Sequence, residues 1–113
     1  MKRRVLAVLT FVLSSLAACA STPKAPTEAA PTFIEDDAER AFADSRTSGK
    51  PIFVDTWATW CHSCLALKAE VLTDPSLARF SDHFVWLSLD VERESAAPFL
   101  QRFPQPAYPT LWI

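Results

Sequence analysis

Glycine, long apolar runs and basic clusters are what this chain has least of. One glycine, Gly49, occurs among 113 residues. Its place in Ser48-Gly49-Lys50-Pro51 therefore marks a turn. The apolar stretch from Val5 to Leu16 is interrupted by Thr10, Ser14 and Ser15 and is too short for a comfortable membrane span. No Lys or Arg cluster follows Arg4, and 13 acidic side chains outnumber 11 basic ones. An acidic excess opposes phosphate, which excludes a nucleic-acid surface. The three cysteines are Cys19, Cys61 and Cys64. With no second Cys or His cluster beside the close pair, spacing does not assemble the four ligands zinc wants.

The length suits one domain, and the first eighteen residues lie outside it. Lys2, Arg3 and Arg4 make a basic start, an apolar core follows, and Ala17 and Ala18 are small, which is the anatomy of a secretory signal. Leu16-Ala17-Ala18-Cys19 resembles a bacterial lipoprotein signal. The resemblance implies cleavage before Cys19 and lipidation of its thiol and amino group. Several acyl chains on Cys19 would hold the protein to a lipid bilayer, at the periplasmic face of a bacterial membrane. By analogy, the non-acidic Ala20 points to the outer membrane. Three basic side chains leave with residues 1–18, so eight remain against thirteen acidic ones, a formal charge of −5. Residues 19–32 then form a lipidated cysteine and a tether rich in Pro, Ala and Thr. It carries no large apolar side chain and reaches about 45 Å at most. Residues 33–113 form the domain.

Inside the domain the informative run is Trp57-Ala58-Thr59-Trp60-Cys61-His62-Ser63-Cys64. The apolar Ile52-Phe53-Val54 before it reads as a buried strand. The stretch Leu65 to Leu72 after it reads as a helix. The cysteine pair thus sits at a strand-to-helix junction. Unpaired backbone N–H groups and the positive end of the helix dipole stabilise a thiolate there. The thiolate is the attacking species in thiol–disulfide exchange. The loop between the two cysteines is so short that closing it constrains the unfolded chain little, which makes a structural staple a weak explanation.

The remaining elements follow from pattern. Glu35 to Arg46 reads as a helix with Ala38, Ala41 and Phe42 on one face. Asp74-Pro75 caps a short turn through Phe80. His83 to Asp90 reads as a second strand, Ser95 to Phe103 as a short helix, and Thr110 to Ile113 as a third strand. Between the last two, Phe103-Pro104-Gln105-Pro106-Ala107-Tyr108-Pro109 is irregular. The alternation of helix and strand predicts an α/β layer structure with helices packed on a sheet.

Residues 33–113 resemble the thioredoxin-like fold, and most closely the thioredoxin-like domain of exported thiol:disulfide interchange proteins of the DsbD C-terminal type. The features that carry this are Gly49 to Asp55 followed by Trp57, Trp60 and Cys61; Val71, Asp74 and Pro75; a strand ending on Asp90; and Tyr108-Pro109-Thr110, which resembles the family's cis-proline loop. The family fold continues with another strand and a closing helix, so the domain is expected to be C-terminally incomplete.

The resemblance implies the following roles. Cys61, with an exposed sulfur, is the attacking thiolate. Cys64, more buried, resolves the mixed disulfide. Asp55, desolvated below the pair and raised in pKa, accepts the Cys64 proton. A cis Pro109 places the Tyr108 backbone beside Cys61, so that Tyr108, Pro109 and Thr110 pair with the substrate backbone. Trp57 is expected to be packed and Trp60 partly exposed as an apolar rim. His62 and Ser63 tune the redox potential. No cofactor beyond the redox-active Cys61/Cys64 disulfide is expected. The expected partners are substrate proteins with disulfides and a periplasmic or membrane thiol that donates electrons.

The reading is therefore a protein-disulfide reductase. A second reading is a copper-binding or metal-delivery module using Cys61, Cys64 and His62, because soft thiolates suit Cu(I). A third is a thioredoxin-like binding scaffold without turnover.

Overall fold

The computed structural model describes residues 29–113. The expected signal and Cys19 lie outside the described residues. Among those described, no helix is long and apolar enough to cross a membrane.

The chain enters along the domain surface. Pro31 is buried and the Ala29 carbonyl accepts a 3.0 Å hydrogen bond from the Ser81 hydroxyl, so residues 29–32 lie against the domain. Strand β1 is Ile34–Glu35 and helix α1 is Ala38–Ser48. The sequence places the helix start at Glu35, three residues early. Ile34 and Glu35 instead pair with the later strand β3, and Asp36 adopts a left-handed φ of 57°. Asp is among the residues that visit that conformation most readily, and here a tertiary bond holds the side chain: Asp36 accepts from the Asp90 backbone N–H, 54 residues away, at 2.8 Å. Asp37 then caps α1 by accepting from the Arg40 N–H at 2.9 Å. Gly49 ends the helix at φ 72°, its N–H bonded to the Ser45 carbonyl, the left-handed position glycine fills without penalty.

Strand β2 is Ile52–Trp57 and strand β3 is Val85–Asp90. They run parallel in register from Ile52 against Val85 to Trp57 against Asp90. Helix α2 is His62–Ala66 and runs on into a π-turn over Leu67–Val71. Short 3₁₀ turns occupy Pro75–Phe80 and Glu94–Ala96, the second leading into helix α3, Ala97–Arg102. Strand β4, Thr110–Trp112, pairs antiparallel with β2. The sheet order is β1-β3-β2-β4, which makes β2 an interior strand, as its apolar run implies.

Alternation along the two interior strands divides the sheet into two faces. Val54, Leu87 and Leu89 point to one face and pack with Ala41 of α1 and Phe99 of α3. Phe53, Asp55 and Trp57, with Trp86, Ser88 and Asp90, point to the other. There Phe33, Phe53, Phe84 and Trp86 form an aromatic cluster, with Phe33 and Phe84 edge-on to Trp86 and Phe53 tilted against it. The site lies on this second face, at the C-terminal ends of β2 and β3.

Candidate active site

Cys61 and Cys64 are joined by a disulfide, with their Cα atoms 5.3 Å apart. Cys61 is the N-cap of α2, and its sulfur accepts from the Cys64 backbone N–H at 3.3 Å. That N–H is one of the donors a helix start leaves without an intrahelical partner, so it stabilises negative charge on Cys61 Sγ. The Ser63 hydroxyl stands 3.6 Å from the same sulfur. His62 is exposed on the first helical turn.

The sequence places the Cys61 sulfur in the open, whereas the residue is only 6% exposed and Cys64 is 0% exposed. Trp57, Val91 and Tyr108 pack around Ala58 and the two cysteines and close the site from the side. Trp60 is 59% exposed and sets its ring edge-on to Tyr108, with centroids 6.0 Å apart. The Tyr108–Pro109 peptide bond is cis. Thr110 faces Thr56 across the β2–β4 ladder and donates its hydroxyl proton to the Ala107 carbonyl at 2.6 Å. The fold thus gathers Cys61, Cys64, Trp60 and Tyr108, with Pro109 and Thr110 continuing from Tyr108.

Asp55 is fully buried, and neither of its carboxylate oxygens has a hydrogen-bond partner. Burial raises its pKa from 3.8 to about 6; the nearby Lys68 pulls the value down and Glu35 pushes it up. Lys68 Nζ lies 3.9 Å from Asp55 Oδ2 and 3.8 Å from Glu35 Oε2. The same ammonium stands 4.3 Å above the Trp57 ring and donates to the Ser88 hydroxyl. Trp57 Nε1 donates to that hydroxyl as well, at 3.0 Å. A cavity of about 160 Å³ opens beside Asp55, walled by Glu35, Lys68, Leu72 and the entering residues Ala30, Pro31 and Phe33. Glu35, Asp55 and Lys68 give it polar walls, and it is roomy enough for water.

Lys68, Glu35 and Ser88 were not singled out by sequence. The signal for Lys68 was its spacing: four residues after Cys64 on a helix, it shares that cysteine's face. Thr56 and Gln105 tie the loop before Tyr108 to β2, and nothing local in the sequence joins them. The Thr56 hydroxyl stands 2.6 Å from the Gln105 side chain and 2.7 Å from the Thr110 carbonyl. Among the described residues no group of three or more His, Cys, Asp or Glu side chains is arranged to hold a metal ion.

A disulfide at a helix tip, a buried carboxylate on the adjoining strand and a loop packed against the sulfur define a thioredoxin-like site. The thioredoxin-like family profile matches residues 33–113, and the chain belongs to that family. Its sequence is similar to thiol:disulfide interchange proteins. It is 31% identical over 98 residues to DsbD 2 of Pseudomonas aeruginosa, an alignment covering 82% of this chain and 17% of that protein. With DsbD 1 of the same organism it is 34% identical over 59 residues, covering 52% of this chain and 10% of the relative. The matches thus span only a small part of those relatives' length. In structure it is similar to a protein assigned as a disulphide-isomerase from Bacteroides thetaiotaomicron. That comparison has a TM-score of 0.59 at 31% identity, over 74% of this chain and 69% of that one. A thioredoxin from Thermus thermophilus shares the fold with a TM-score of 0.60 at 24% identity, over 70% of this chain and 62% of the other.

Proposed function

We propose that this chain is a thiol–disulfide oxidoreductase that reduces disulfides in substrate proteins, working at the periplasmic face of a bacterial membrane to which lipidated Cys19 holds it. The observation that carries the chemistry is the Cys61 sulfur, bonded to Cys64 and accepting the Cys64 N–H at the start of α2, with Asp55 buried on the adjoining strand. The similarity to proteins named for thiol:disulfide interchange supports the same reading. The lipid anchor rests on the Leu16-Ala17-Ala18-Cys19 motif and the signal anatomy before it.

The reaction starts from the dithiol. The Cys61 thiolate attacks one sulfur of a substrate disulfide, and the other substrate sulfur leaves as a thiolate and takes up a proton. Cys64 then loses its proton to Asp55, directly or through water, and attacks Cys61 Sγ. The second substrate sulfur leaves and is protonated, and the Cys61–Cys64 disulfide remains. Two electrons have passed to the substrate, and a partner dithiol returns them. His62 and Ser63 adjust the potential; about 30 mV corresponds to roughly 1.4 kcal/mol for a two-electron couple. Trp60, Tyr108, Pro109 and Thr110 receive the substrate backbone.

The test is turnover by the full chain, purified in detergent, with insulin as the disulfide and dithiothreitol as the electron source. Wild type reduces insulin catalytically, and Cys61→Ser abolishes this. A wild type that binds Cu(I) stoichiometrically with no reductase turnover would instead favour metal delivery.

A further inference from the structure

A part-buried hydrogen bond between side chains ties the loop before Tyr108 to strand β2. Thr56 is fully buried on β2, and its partner Gln105 lies 49 residues further along. Gln105 is the half-buried residue between exposed Pro104 and Pro106, so the loop turns this one side chain inward.

The Thr56 hydroxyl stands 2.6 Å from the Gln105 amide and 2.7 Å from the Thr110 carbonyl. A hydroxyl has one proton and cannot donate to two acceptors. Gln105 Nε2 is meanwhile buried with no partner when the amide oxygen faces Thr56. Turning the amide end for end removes the conflict. Nε2 then donates to Thr56, Thr56 donates to the Thr110 carbonyl, and each short contact has its proton. The Thr110 hydroxyl donates to the Ala107 carbonyl at 2.6 Å. These bonds hold the loop at Gln105, Ala107 and Thr110, on both sides of Tyr108 and Pro109. Tyr108 in turn packs on the Cys61/Cys64 cluster.

We propose that Thr56 and Gln105 are positioning residues for protein substrates: their buried hydrogen bond sets where Tyr108 and Pro109 stand relative to Cys61, and so governs KM for a protein disulfide without touching the reacting sulfurs. The inference rests on the exchange reading above.

The experiment compares full-length wild type with Thr56→Val, Thr56→Ser and Gln105→Leu on two substrates. One is insulin; the other is the small aromatic disulfide 5,5′-dithiobis(2-nitrobenzoic acid), which makes no backbone pairing. Thr56→Val and Gln105→Leu raise KM for insulin about fivefold, the size expected for one lost hydrogen bond. Their kcat for insulin and their rate with the small disulfide stay within about twofold of wild type, and Thr56→Ser restores KM. In NMR spectra one Gln105 Nε2 proton is protected from exchange in wild type and loses protection in Thr56→Val. Gln105→Leu, on the loop, keeps the test open should Thr56→Val not fold. Unchanged KM in both variants, an equal loss on both substrates, or failure of Thr56→Ser to restore KM overturns the inference. A wild type that reduces neither substrate overturns the exchange reading itself, a separate and recognisable result.

Discussion

The Lys68 ammonium stands 3.9 Å from Asp55 Oδ2, and the carboxylate it faces has no hydrogen-bond donor. The cation therefore acts on Asp55 through charge alone, against the desolvation that raises the acid to about 6. Lys68→Met removes the influence that lowers the Asp55 pKa. The inflection in the pH–rate profile of mixed-disulfide resolution moves up from about 6, and the rate at pH 7 falls roughly twofold or more. Glu35→Gln removes a neighbouring negative charge and moves the inflection down. Stopped-flow measurement across pH 5 to about 9 checks both signs; parallel shifts of the two variants in one direction would contradict the assignment.

Asp55 also makes stability depend on pH. Its folded pKa of about 6 lies above the ordinary 3.8, so between those values the native chain holds more protons than the unfolded one. This contribution is fully present below about pH 4 and is lost as pH rises through about 6. Each pKa unit is worth about 1.4 kcal/mol, so at pH 7 the buried carboxylate costs the fold about 3 kcal/mol. Asp55→Asn removes this slope. Thermal unfolding of the oxidised variant shows a gain over wild type at pH 7 that shrinks towards pH 4, while resolution of the mixed disulfide slows. A variant less stable than wild type at pH 7 would count against a desolvated carboxylate without a hydrogen bond.

Trp60 is the large apolar side chain left open at the rim, 59% exposed and held edge-on to Tyr108. Trp60→Ala removes contact area from a protein substrate and little from the core. KM for insulin rises several-fold, and folding stability stays within about 0.5 kcal/mol of wild type, as for surface changes generally. By comparison Leu87→Ala, at a fully buried position of β3, costs about 2–5 kcal/mol in urea unfolding.

Gly49 closes α1 at φ 72° with its N–H on the Ser45 carbonyl, and a Cβ there meets nothing within 4 Å. The cost of Gly49→Ala is therefore conformational, about 1 kcal/mol for forcing an L-residue into the left-handed region. Chemical denaturation measures it, and exchange activity is unchanged.

Much of the site was legible because its signals are local. The Ile52–Val54 run, the cysteine spacing and the helical stretch after Cys64 lie within twenty-odd residues. Together they place a sulfur pair at a strand-to-helix junction, with Asp55 directly after the apolar run; the strand itself continues to Trp57. What escaped was tertiary. Strand β1 is two residues long, too short for any periodicity, and exists because Ile34 and Glu35 meet β3. Ala29 to Thr32 read as free tether by composition, yet Pro31 is buried and walls the cavity beside Asp55. Thr56 and Gln105 meet across 49 residues, which no window reveals. Cys61 is buried in a cluster packed by Val91 and Tyr108, 30 and 47 positions away, as well as by nearby Trp57.

The most direct measurement is trapping. Full-length Cys64→Ser, reduced and then mixed with a disulfide-bearing protein, is quenched with alkylating agent and analysed by intact mass, with Cys61→Ser alongside. The account predicts about one covalent adduct per Cys64→Ser chain, mapped to Cys61 and released by dithiothreitol, and none on Cys61→Ser. No adduct on either variant, or equal adducts on both, would contradict it.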